Sequence, residues 1–281
     1  MLMSKKQKFW LQVLTYGVLV ILATYCLFPF LWMADTALKP IQEVRTSHPT
    51  FMINNLTFGN FSRVLLESKF VTFFGNSMYV ASTTTILSLI ISIFAGYALS
   101  RFSSYRGVKA VSITMLLSQM VPGVLLLIPL YLLMKNYHLL DTYYSMILAY
   151  TTFMVPLCTF MLKGYIDSIP YEMEESAEID GCSRVGILFR IILPVSIPSL
   201  IATALFAFVN AWNEFMFGFV FINDEAHRTL TPGITLFKGL YMTDWGSIMA
   251  ASVLSVLPVV ILFVFMQRFL IDGMTAGAVK G

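Results

Sequence analysis

The sequence predicts an all-α integral membrane protein with six transmembrane helices and a helix–turn–helix loop on the cytoplasmic side. Three observations lead there. The 281 residues are 58% hydrophobic and 12% charged, about half the charged share of a soluble domain, so lipid rather than water must be the solvent. Six stretches, about 10–34, 71–99, 109–134, 143–163, 199–222 and 247–269, are apolar over the length of a bilayer core, which takes about twenty helical residues. Between the fourth and fifth the composition inverts: Asp167, Glu172, Glu174, Glu175, Glu178 and Asp180 fall within fourteen residues. The chain is read as one transmembrane domain, 1–281, with the loop 164–198 in the cytoplasm.

Lys5, Lys6 and Lys8 ahead of an apolar run imitate a signal peptide. The run from Phe9 to Met33 is too long for a signal core and no small-x-small site follows, so a retained first span is predicted. The external segment after it, about 35–70, carries Pro40, Pro49, the pair Asn54-Asn55 and an expected short helix from Asn60 to Leu66. The second span holds Ser82, Thr83, Thr84, Thr85 and Ser88; small hydroxylated residues permit close helix approach, so packing is their expected role. Pro122-Gly123 and Pro129 in the third span and Pro156 in the fourth predict kinks, because proline frees a backbone carbonyl that lipid cannot satisfy.

The fifth span contains Asn210, Trp212, Asn213 and Glu214. A carboxylate costs at least about 2.5–3.5 kcal/mol at the bilayer centre, so Glu214 should face protein or water. On a continuous helix it shares a face with Asn210, four residues back. Two roles stay open for this cluster, an interhelical hydrogen bond and contact with a transported solute. The external loop 223–246, with Asp224, Glu225, His227, Arg228, Pro232, Gly233 and an aromatic run to Trp245, leads into the sixth span.

An even number of spans puts both termini on one side, and Lys and Arg choose which. Lys5, Lys6, Lys8, Arg101, Arg106, Lys109, Lys163, Arg184, Arg190, Arg268 and Lys280 share a side with the acidic loop. The other side has Lys39, Arg45, Arg63, Lys69, Lys135, Arg228 and Lys238. Eleven against seven places the termini and the loop in the cytoplasm, because acidic residues count little in this rule.

Within the loop, Pro170 suits the start of a helix and the acidic first turn favours its positive end. Gly181 supplies a left-handed stop, Ser183 can cap a second short helix, and Pro194 is expected to end it. The order Glu175-Ser176-Ala177, three residues, Gly181, nine residues, Ile191, one residue, Leu193-Pro194 resembles the EAA loop of ABC-importer permeases. Ser176 for the first alanine of that signature is a small-for-small exchange. The exit of the second span, Gly96-Tyr97-Ala98-Leu99-Ser100-Arg101-Phe102, is similar to the same family, as is the run Met120, Pro129, Tyr131, Leu139, Asp141-Thr142 and Pro156. The tail from Gly273 to Gly281 is similar to carbohydrate permeases of the maltose-transporter MalG type.

The resemblance implies the inner-membrane permease of a bacterial carbohydrate importer. It implies a second homologous permease, two ATPase subunits at the loop and the C-terminal tail, and an extracellular solute-binding protein reached by the 223–246 loop. It assigns the ATPase-coupling role to Glu175, Ser176, Ala177, Ile179, Asp180, Gly181, Ile191, Leu193 and Pro194, with Ala177 and Ile179 in close contact with the ATPase. ATP and Mg would sit on the partner ATPase, and this chain would bind no cofactor of its own.

Other chemistries find little support. There is no Gly-Lys-Ser/Thr phosphate loop, no His-Glu-x-x-His and no Gly-x-Ser-x-Gly elbow. His48, His138 and His227 are scattered, and Cys26, Cys158 and Cys182 show no pairing or metal spacing. The net charge of +3 is too small and dispersed for nucleic acid. A polyol or glycerol-phosphate solute is the alternative within the class, although the latter favours a basic pore that the spans do not offer. An ion-coupled secondary transporter would need inverted-repeat halves and buried ionisable groups, and only Glu214 answers to that.

Overall fold

The computed structural model of the chain describes residues 5–46, 50–239 and 243–278. His48, Pro49 and Lys280 lie outside the described residues. Among the described residues the only β pairing is an isolated bridge between Lys238 and Thr243. The principal helices are α1 (Lys5–Ala37), α2 (Phe70–Arg101), α3 (Arg106–Gln119), α4 (Gly123–Asn136), α5 (Tyr143–Ile166), α6 (Glu172–Ile179), α7 (Arg184–Val195), α8 (Ile197–Asn213), α9 (Met216–Phe221) and α10 (Trp245–Ala278). By length and composition α1, α2, α5 and α10 can each cross a membrane unbroken. The bent pairs α3–α4 and α7–α8 bring the number to six if each is one span.

Two expected spans are broken. The stretch 109–134 is two helices at 95°. Val121 precedes a proline and is steered away from helical angles, while Pro122 takes an extended ψ of 127°, so the chain turns rather than kinks. The stretch 199–222 is interrupted where α8 stops at Asn213 and Glu214 turns extended, with ψ 131°. Pro156, by contrast, lies inside the unbroken α5.

Contacts divide the chain into two compact units, 1–71 with 234–257 and 72–233 with 258–281. In the first, the buried Asn60 amide donates to the Ala37 and Lys39 carbonyls at 2.9 and 2.8 Å, satisfying acceptors left at the end of α1. Gly246 makes room for it, since a Cβ there would lie 2.7 Å from Asn60 Oδ1. The expected Asn60–Leu66 helix is present as Gly59–Ser62 followed by a π turn, Arg63–Glu67. Lys39 is buried, ion-paired with Asp35 at 2.6 Å and bonded to the Thr50 carbonyl. Glu43 ties down the following loop by accepting from the Asn54 and Asn55 amides.

Asp244 caps α10 in that unit, accepting from the Ser247 amide and hydroxyl at 3.1 and 2.7 Å and from Arg63 at 2.8 Å. Burial alone would raise its pKa. The Ser247 bonds and the Arg63 charge outweigh that and hold the carboxyl below the usual carboxylate range.

In the second unit, α2 packs on α5 through small residues. Thr84, Thr85, Ser88 and Ser92 are buried, and Ser92 donates to the Val155 carbonyl at 3.1 Å. A Cβ on Gly96 would sit 3.3 Å from Leu162 Cβ and from the Lys163 and Thr159 backbone. Ser92 and Gly96 thus form a close small-residue seam with α5, while Ser82 and Thr83 are half-buried.

Candidate functional site

The acidic stretch forms α6, Glu172–Ile179, with Glu172, Glu174 and Glu175 in the first turn, where the helix dipole favours anions. Gly181 has φ +81°. Its N–H bonds to the Glu178 carbonyl at 3.0 Å, and the Cys182 N–H reaches back to Ala177 at 2.9 Å, the paired closure of a Schellman motif. Ser183 Oγ accepts from the Gly186 amide at 3.2 Å and caps α7. Pro194 is the penultimate residue of that helix, which closes at Val195. The turn Leu188–Ile192 is wound as π, with the Leu193 N–H on the Leu188 carbonyl. That wider turn relaxes the contact between a proline ring and the carbonyl four residues before it. The chain bends by 79° one residue beyond Val195, at Ser196.

Of the loop residues singled out from the sequence, Glu175, Ser176, Ile179, Asp180, Gly181 and Pro194 are exposed, Ile179 at 86%. Ile191 and Leu193 are half-buried against a cluster built on Ile187, Leu188 and Ile192. Ala177 is buried in the chain's own cluster with Tyr97, Ile166 and Ile169. It lies one turn from Glu174, and these two are the buried residues of α6.

Glu174 is the feature the sequence hid. Its side chain is 4% exposed. It accepts from the Tyr97 hydroxyl at 2.9 Å and pairs with Arg101 Nε at 2.5 Å. Arg101 also donates to the Ile169 carbonyl and to Ser100 Oγ, both at 3.1 Å. Beside it, Asp167 accepts from Ser100 and pairs with Lys163, both at 2.6 Å. Burial would raise the Asp167 pKa, but these two bonds and the neighbouring Lys163 and Arg101 charges hold it low. A buried pair tolerates desolvation only with such geometry and added hydrogen bonds. From the sequence, Arg101 counts as a topology charge and as part of the family-like exit of the second span, and Glu174 as one of six acids, with nothing to pair them. No spacing signal links residues 73 apart.

The cluster near the end of the fifth apolar stretch is divided. Glu214 is off the helix face of Asn210, because α8 has already stopped. Its carboxylate accepts from the Tyr150 hydroxyl at 2.5 Å and from the Phe217 and Gly218 amides at 2.9 and 3.1 Å, so it caps α9. Trp212 is buried, stacked on Phe208 and edge-on to Phe74. Asn210 and Asn213 are exposed, and Asn210 donates to the Phe206 carbonyl. A cavity of about 570 Å³ lies elsewhere in the same unit, lined by Phe74, Met78, Phe208 and Leu262 among others, with Ser82 and Thr85 its only hydroxyls.

The segment 223–233 is fastened to α2 and α5. Asn76 Nδ2 donates to the Ala226 and Arg228 carbonyls at 2.8 Å, Tyr143 donates to Asn76 Oδ1, and Ser77 Oγ accepts from the Leu230 amide. Asp141, at a left-handed φ of 58°, accepts from the Asn223 and Asp224 amides. Among the described residues no cluster of His, Cys, Asp or Glu is arranged to hold a metal.

Among the described residues the chain is a set of membrane-length helices without a strand, and a capped helix–turn–helix lies between two of them. The solved structure of a bacterial ABC transporter involved in the import of the acidic polysaccharide alginate contains a chain that superposes with TM-score 0.80. It is 21% identical and covers 95% of this chain and 99% of that one. Residues 88–276 match the family described as binding-protein-dependent transport system inner membrane component, and the chain belongs to that family. It is 34% identical to the diacetylchitobiose uptake system permease protein of Streptomyces coelicolor, over 93% of this chain and 95% of the relative. It is 37% identical to the trehalose/maltose transport system permease protein of Thermococcus litoralis, over 93% and 94%. The protein is therefore a transport subunit of an ABC importer, whose ATPase partner uses ATP.

Proposed function

We propose that this chain is one of two homologous permeases that enclose the path for a carbohydrate, an oligosaccharide by preference, across a bacterial inner membrane. The observation that carries the reading is the outer surface of α6. Glu175, Ser176, Ile179 and Asp180 are exposed around a Schellman-capped turn and coincide with the coupling signature, and among the described residues the Glu175 carboxylate has no partner. Relatives named for diacetylchitobiose and for trehalose and maltose support a saccharide solute.

In this reading both termini and the loop 164–198 are cytoplasmic. The exposed face of α6 docks in a cleft of an ATPase subunit, Glu175 and Asp180 meet polar or basic groups, and Ile179 supplies the apolar contact. A second ATPase subunit serves the partner permease, the C-terminal tail lies near the ATPase pair, and ATP and Mg are bound there. Closure of the ATPases moves the loop and tilts the bent helices. The docked state must bind the two permease conformations unequally, since equal binding shifts nothing. Asn210 and Asn213, three apart on one exposed face of α8, offer amide groups to sugar hydroxyls, while Trp212 and Glu214 hold the end of that helix in place. A solute-binding protein delivers the sugar from outside.

The test is purification of the tagged chain in mild detergent, followed by ATPase assays on the eluate with candidate binding proteins and oligosaccharides. Co-purification of a second permease and an ATPase, with hydrolysis stimulated by a sugar-loaded binding protein, is the expected result. Recovery of this chain alone, with ion-driven uptake after reconstitution, overturns the reading.

A further inference from the structure

We propose that Glu174, Arg101 and Tyr97 form a clasp that makes α6 and α2 one mechanical piece, and that this clasp sets how tightly ATP hydrolysis is tied to transport. The inference rests on the importer reading and adds positioning residues to it. Glu174 and Ala177 are the buried residues of the eight-residue α6. The helix therefore meets its own chain along a narrow strip, and Glu174 is the polar anchor on it. A load applied to the exposed Glu175 side reaches α2 through that strip, while Ala177 also packs on the Ile187–Ile192 cluster of α7.

The anchor leads into one element. Tyr97 and Arg101 both stand in the last two turns of α2, and Arg101 holds Glu174 and the Ile169 carbonyl with one guanidinium. A guanidinium fork fixes direction as well as distance, which a lysine point charge does not. Hydrophobic residues of equal volume often stabilise a protein as well as a buried ion pair does, so stability alone does not account for the pair. At the other end of the same helix, Asn76 and Ser77 bind the 226–230 backbone. The 32 residues of α2 carry no proline and no break, and at 1.5 Å per residue they span about 48 Å. The clasp thus ties α6 to a continuous rod that ends on the 223–233 segment.

The experiment uses the whole reconstituted importer, with ATPases, partner permease and binding protein, and measures ATP hydrolysed per solute imported. Arg101→Lys and Glu174→Gln are expected to raise that ratio at least about fivefold, the low end of common coupling energies, with hydrolysis retained. Tyr97→Phe keeps the ring and removes one hydrogen bond, so a rise of about twofold is expected. If Glu174→Gln does not assemble, Tyr97→Phe decides alone. Uptake and hydrolysis falling together at a constant ratio, or an unchanged ratio, overturns the clasp and leaves the importer reading standing. A wild-type complex in which uptake does not follow ATP hydrolysis removes the importer reading itself.

Discussion

The Glu214 carboxylate accepts the Tyr150 hydroxyl at 2.5 Å and, with the same two oxygens, caps the amides of Phe217 and Gly218. One side chain thereby holds α5 to the point where α8 gives way to α9. It does so where the surroundings are apolar and an unpaired amide or carboxylate is expensive.

Glu214→Ala is therefore expected to act first on stability. Loss of a cap costs about 1 kcal/mol, and the stranded Tyr150 hydroxyl and amides add to it. A thermal melt in detergent should fall by several degrees, with Tyr150→Phe showing a smaller drop. An unchanged melt with altered sugar selectivity would return Glu214 to the solute path.

Gly181 stands at φ +81° with open space around it, so substitution there is a test of backbone conformation alone. Alanine should cost about 1–2 kcal/mol in the left-handed region and weaken ATP-driven uptake, asparagine less, and proline should abolish uptake. Glu175→Lys, on the exposed face, should also abolish uptake with membrane insertion and melting unchanged. Normal uptake by the proline and lysine variants in cells would remove the coupling role of the loop.

Gly246→Ala places a methyl group against the Asn60 amide. Displacing Asn60 strands the Ala37 and Lys39 carbonyls, at about 1–3 kcal/mol for a buried polar group left unpaired. Lower yield of folded protein is expected, and pairing the change with Asn60→Ala should relieve the clash without restoring the bonds. Equal melts for wild type and Gly246→Ala would contradict the contact.

Asp244 has a lowered pKa in the folded protein, so its contribution to stability is fully present above the ordinary aspartate pKa of about 3.9. It is lost as pH falls through the lower folded value. Asp244→Asn should melt below wild type at pH 7, and the gap should close as the pH is taken below 4. A constant gap from neutral to acid pH would show that the Asp244 charge plays no part.

The loop illustrates how far a sequence reaches. Its helix, the glycine stop and the Ser183 cap were legible to within a residue, because each depends on the conformational preference of one residue and its immediate neighbours. The helix holding Pro194 closes one residue beyond it, after a π turn. Glu174 and Glu175 are identical in type and adjacent, yet one is buried on Arg101 and the other exposed; the signature in the loop singles out Glu175, but nothing there shows that Glu174 is buried.

The sequence by itself determined that the chain is helical and lies in lipid, where its apolar stretches begin and end, and that a capped acidic helix–turn–helix interrupts them. Those properties follow from hydropathy, length and turn chemistry, which act over a few residues. Only the tertiary structure decided that Glu174 faces Tyr97, 77 positions away, that Glu214 faces Tyr150, 64 away, and that Ala177 packs in the cluster with Tyr97. Partners at such separations are chosen by which helix faces pack together. A buried carboxylate then takes whatever donors the packing brings within reach, because leaving it unpaired costs more than any local preference supplies.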